Sequence, residues 1–202
     1  MFFKTKSESR EWAQALGFNP EDFEAEGPAH YASPSSVRLD IEMPRPASVA
    51  VARQIVSWLG PFSSCVFWIT EHGIFSSYEN RHLYYKLRAS YGDFRELHVA
   101  PGHDFLDYET SDLVTFVDLA IQFRWGGHLV ATPLLTYIFI SHDGWVLVKS
   151  ESQMDRIMRD LRESSWRYHL EDGDLGGSTL GAKARRGRST RKRHGVRRVK
   201  PR

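Results

Sequence analysis

The chain has 202 residues, 27 Lys or Arg against 25 Asp or Glu, a formal net charge of +2, 41% hydrophobic residues and a single cysteine. That apolar content supports one sizeable core and excludes a chain disordered throughout. One Cys excludes an intrachain disulfide framework, and residues 129–140, the longest mostly apolar stretch, fall short of the roughly 20 residues that span a bilayer.

The first residues, Met1 to Glu8, contain no long apolar run, so no secretory signal is read there and a cytoplasmic location is expected. Thr5 and Glu8 form a capping-box pair, and Gly17 closes a helix predicted over Lys6–Leu16. Val37, Leu39, Ile41 and Met43 alternate with Arg38, Asp40 and Glu42, the period of a strand with one wet face, and Pro44 and Pro46 stop it. Val51, Ile55, Val56 and Leu59 make the stripe of a helix over Val49–Leu59, with Gly60-Pro61 as its stop. Ser64–Thr70 is nearly continuous apolar sequence and reads as a central strand buried on both faces. The single cysteine, Cys65, lies in it and reads as a small hydrophobe.

Ser76 and Glu79 frame a second capping box, ahead of a helical stripe of Leu83, Tyr84, Leu87 and Tyr91 that ends at Gly92. Phe94–Ala100 is a predicted strand, broken by Pro101-Gly102, and Pro101 to Asp104 reads as a turn. Asp112–Arg124 is the clearest helix, with Leu113, Phe116, Val117, Ala120, Ile121 and Phe123 on one broad face and Gly126-Gly127 as its end. Strands follow at His128–Ala131, Tyr137–Ser141 and Trp145–Lys149, the last two joined by an Asp143-Gly144 hairpin turn. Ser150 and Gln153 open a last helix carrying Met154, Ile157, Met158 and Leu161. The fold class is α/β or α+β: a single central mixed β-sheet flanked by helices. Trp68, Phe116, Ile121 and Phe139 are expected at the sheet–helix interface.

Residues 1–170 read as a single globular domain, 171–182 as a flexible linker and 183–202 as a disordered basic tail. The tail holds Lys183, Arg185, Arg186, Arg188, Arg191, Lys192, Arg193, Arg197, Arg198, Lys200 and Arg202, and no Asp or Glu. Without it the chain keeps 16 basic against 25 acidic residues, a body of about −9 joined to a cationic end. Such an end suits sequence-tolerant phosphate contacts with nucleic acid; it contains no aromatic residue on which bases would stack.

The ionisable groups give a second set of candidates. His98, His103, Asp104, Asp107 and Glu109 lie close in sequence, with His142 and Asp143 further on. His103, Asp104, His142 and Asp143 are candidate acid–base residues, whereas their spacing matches no metal-ligand motif. Ser141-His142-Asp143 gathers triad residue types, but a nucleophilic triad is assembled by the fold and not by adjacency, so a hairpin corner is expected. Gly126-Gly127 lacks the surroundings of a phosphate loop, and Glu71-His72-Gly73 reads as a strand end and turn. No motif points to a cofactor.

From Asp112 to Trp145 the chain resembles small uncharacterised bacterial proteins, some of immunity-protein type. The resemblance rests on Trp125, Ser141, His142, Asp143 and Trp145, and departs at Gly144, where that pattern has Glu. It spans about a sixth of the chain and implies a cytosolic, non-enzymatic α/β domain that binds another protein, a toxin being one such partner. An acidic body suits a basic protein partner through electrostatic steering. Nucleic-acid association through the tail is the alternative, and an enzyme with an unrecognised His/Asp site the second; no membrane partner is expected.

Overall fold

In a computed structural model, residues 1–25, 27–30, 35–41, 48–71, 78–164 and 166–172 are described. One sheet organises them. Its strands are β1 (Phe2–Lys4), β2 (Ser35–Asp40), β3 (Ser64–Glu71), β4 (Gly102–Leu106), β5 (Gly126–Thr132), β6 (Thr136–Ile140), β7 (Trp145–Ser150) and β8 (Arg167–Asp172). The spatial order is β1-β4-β3-β5-β6-β7-β2-β8. Every neighbouring pair is antiparallel, so the single sheet flanked by helices predicted from sequence has an α+β form without the parallel pairs of a mixed sheet. The helices are α1 (Lys6–Ala15), α2 (Pro20–Glu24), α3 (Ser48–Ser57), α4 (Tyr78–Ser90), α5 (Thr110–Phe123) and α6 (Met154–Glu163).

Alternation along the strands divides the core into two layers. On one face Phe67 and Ile69 of β3, Leu129 of β5, Ile138 and Ile140 of β6 and Val146 and Val148 of β7 meet α3, α5 and α6. Phe116 and Ile121 of α5 are buried in this layer. On the other face Val66, Trp68, Val130, Tyr137, Phe139 and Leu147 are covered by α1, α2 and the segment around Ala29. Phe23 stacks on Trp68 there at 5.2 Å. The central strand β3 is therefore apolar on both sides, as its unbroken run of hydrophobic residues requires. Cys65 is fully buried in it, and burial pushes its thiol pKa up.

Local signals account for most element ends. Thr5 Oγ1 accepts from Glu8 N at 3.2 Å and Thr5 N donates to Glu8 Oε2 at 2.6 Å, the reciprocal box that starts α1. Gly144 takes φ +84° in the β6–β7 turn, where Ser141 N bonds Trp145 O at 2.9 Å.

Three expectations fail. Phe94–Ala100 is not a strand. The Asp93 carboxylate accepts from Arg95 N and from Arg88, and Val99 N and Ala100 N both bond Glu96 O, which folds the segment into turns. The break read at Pro101-Gly102, and the turn read over Pro101 to Asp104, are instead the entry to β4, with His103 and Asp104 as strand residues. Gly126-Gly127 does not end α5. Arg124 does, in a left-handed conformation at φ +57°, and Trp125 N bonds Ala120 O. The two glycines begin β5 because neighbours occupy the space a Cβ needs: the Glu71 carboxylate at Gly126, and Trp68 O, 2.6 Å away, at Gly127.

Two edge strands and a short helix, β1, β8 and α2, have no counterpart in the sequence reading, and β8 runs to Asp172, inside the span read as linker. Glu42 to Pro46, Ser76, His72-Gly73 and the tail lie outside the described residues.

Candidate functional site

The candidate acid–base residues do not converge. His103 sits on β4 and is fully buried. Its Nδ1 lies 3.1 Å from Phe67 O and its Nε2 2.6 Å from the Tyr84 hydroxyl, so both ring nitrogens are engaged inside the core. Arg88, also fully buried, donates to the same Tyr84 oxygen, to Ala100 O and to the Asp93 carboxylate. Burial, aided by the Arg88 charge, pushes the His103 pKa down to about 3. Asp104, the next residue, points to the opposite face and pairs with Lys4 Nζ at 3.0 Å. His128 repeats the pattern on the other face: Nδ1 is 2.8 Å from the Tyr137 hydroxyl and Nε2 3.2 Å from Phe23 O. Burial pushes it to about 3 as well. These are neutral core histidines that tie strands to helices.

His142 lies elsewhere, at the β6–β7 corner, level with the end of β3. Four residues along the strands and three strands across separate it from His103, roughly 20 Å. Its Nδ1 is 2.5 Å from Glu71 Oε2 and its Nε2 3.4 Å from Asp143 Oδ1. The imidazole is thus flanked by carboxylates, one closing β3 and one in the turn itself. Ser141 is buried, and its Oγ accepts from Asp143 N at 3.1 Å. The hydroxyl therefore faces the turn backbone, and among the described residues no proton acceptor is arranged on it as a nucleophile requires. Arg124 completes this corner with its guanidinium against Gly144. The cluster can clamp the hairpin to β3 by a charge-assisted bond. Among the described residues no group of three or more His, Cys, Asp or Glu is placed to hold a metal ion.

A large concave feature lies on the helical layer. A cleft of about 710 Å³ opens between α3 and α5. Val49, Val56, Phe62 and Val114 supply its apolar surfaces, Ser57, Thr110, Ser111 and Thr115 supply hydroxyls, and Arg53 and Asp107 supply one charge of each sign. Sequence reasoning named Asp107 only in the His/Asp cluster and missed the rest. A readable signal exists: Ser111 and Thr115, four residues apart, share a side of α5 turned away from Leu113 and Ala120. The pairing of Glu71 with His142 has no such signal.

Arg185, Arg186, Arg188, Arg191, Lys192, Arg193, Arg197 and Arg198 lie outside the described residues. Among the described residues no helix is long and apolar enough to cross a membrane. No family model, curated protein or solved structure matches the chain.

Proposed function

We propose that the chain is a non-catalytic protein-interaction domain of immunity type, which binds a basic protein partner in the cytoplasm. The observation that carries this reading is the α3–α5 cleft. Apolar surfaces ringed by hydroxyls suit a partner's inserted side chains. The described residues lining it include no His, Cys, Lys or Tyr, and the carboxylate among them, Asp107, accepts from the Tyr108 backbone N–H at 2.8 Å. The excess of acidic residues outside the tail gives the partner its sign by steering. The resemblance over residues 112–145 gives the reading its class.

The test is capture from cell lysate with nuclease present, by the wild-type chain and by Ser111→Arg. Ser111 is exposed, so the longer side chain fills the cleft without disturbing the core. A nuclease-resistant protein partner lost in the variant, at unchanged thermal stability, supports the reading. Capture abolished by nuclease, or unaffected by Ser111→Arg, overturns it. A second reading, nucleic-acid association, rests on the eleven unopposed cations of residues 183–202.

A further inference from the structure

β8 is an edge strand. Among the described residues it pairs in the sheet with β2 alone, and Arg167, His169, Leu170 and Glu171 are all exposed, with His169 Nε2 3.2 Å from Asp40 Oδ2. A six-residue edge strand with no second strand beside it among the described residues is a template for another strand. Natural edges of this kind carry features that repel a second copy; this one carries a sequence that complements itself.

Two β8 strands can be set antiparallel with His169 opposite His169 of the second copy. Arg167 then lies opposite Glu171 of the second copy, twice by symmetry, and Tyr168 lies opposite Leu170 of the second copy, again twice. Directly opposed residues of an antiparallel pair share a face, and these do. Tyr168 and Leu170 lie opposite Leu39 and Val37 of β2, on the layer of α3, α5 and α6; Arg167, His169 and Glu171 lie on the other. The apolar pair covers Leu170, which is 64% exposed. A slip of two residues either way, the smallest that keeps the faces matched, parts Arg167 from Glu171. The pattern thus selects one register, and it selects a copy of itself.

We propose that β8 is a homodimerisation edge at which two copies of this chain join their sheets in that register, a surface separate from the α3–α5 cleft. Sedimentation equilibrium on the full chain should show a reversible dimer. Arg167→Glu sets like charges opposite each other at two places and should weaken the dimer about tenfold or more. The swap Arg167→Glu with Glu171→Arg restores both pairs and should restore the affinity. In parallel, His169→Cys should form a disulfide-linked dimer under mild oxidation, because directly opposed residues have Cα atoms about 4.5–5.5 Å apart. Arg167→Cys should not, and the buried Cys65 contributes no background. A chain monomeric at every concentration tested, a swap that fails to rescue, or crosslinking as fast from position 167 as from 169 would each overturn the proposal.

Discussion

The two core histidines make the fold acid-sensitive in a defined window. His103 and His128 are neutral in the folded chain with pKa values near 3, and each returns to about 6.5 on unfolding. Below pH 6.5 the unfolded chain takes up protons that the folded chain refuses. Stability therefore falls as pH falls, by about 1.4 kcal/mol per pH unit for each histidine, until about pH 3. At pH 5 the pair has lost about 4 kcal/mol, a large part of the roughly 5–15 kcal/mol that holds a typical domain together. Urea melts at pH 7.5, 6.5, 5.5 and 5.0 measure the slope before carboxylate protonation dominates. His128→Gln retains a donor and an acceptor toward the Tyr137 hydroxyl and Phe23 O and removes one titration, so its slope should fall by about 1.4 kcal/mol per pH unit. Other titrating groups contribute equally to both proteins and cancel in the comparison. Equal stability at pH 7.5 and 5.0, or identical slopes for wild type and variant, would refute the reasoning.

Phe116→Ala opens a cavity beneath Tyr84, His103 and Phe105 and should cost about 3–5 kcal/mol in a denaturant melt; below about 1 kcal/mol the packing assigned to α5 is wrong. Arg88→Ala strips the buried Asp93 carboxylate of one cationic partner and should cost about 3–5 kcal/mol by the same assay. Gly127→Ala forces a methyl group against Trp68 O and should cost about 1–3 kcal/mol, read as a lowered Tm. If residues 183–202 bind duplex DNA, log K should fall with log salt at a slope of about −4 to −5 whatever the base sequence, and deleting them should abolish binding. Limited trypsin digestion should cut first beyond Asp172, since Arg167 is held within β8.

Sequence patterns reveal those elements whose cause is local. The Thr5–Glu8 box, the alternation from Val37 to Ile41 and the Asp143-Gly144 turn each act within a few residues, and each stands where the pattern puts it. β8 shows the opposite case. Tyr168 and Leu170 do alternate with polar neighbours, but the strand exists because Leu39 and Val37, some 130 residues earlier, lie beside it. Phe94–Ala100 has the composition of a strand, and the reach of Asp93 to Arg88 and Arg95 overrides it. At the hairpin corner, Ser141 to Gly144 is legible as a turn. Its anchor, Glu71, stands 71 positions from His142 and is brought there by β3–β5–β6 pairing, which no spacing announces.

The strand order has a consequence for synthesis. β2 emerges early, yet both of its neighbours, β7 and β8, come from the last fifth of the described chain. β1 likewise waits for β4. A nascent chain that has reached only Ile140 thus holds β2 without either flanking strand, its apolar side chains Val37 and Leu39 presented to whatever else is near. Closure of the sheet depends on contacts of large sequence separation and is correspondingly slow. Shortening the chain at its C-terminal end would therefore unseat a strand near its beginning, and a ribosome paused before Trp145 would display a sticky intermediate in need of chaperone protection.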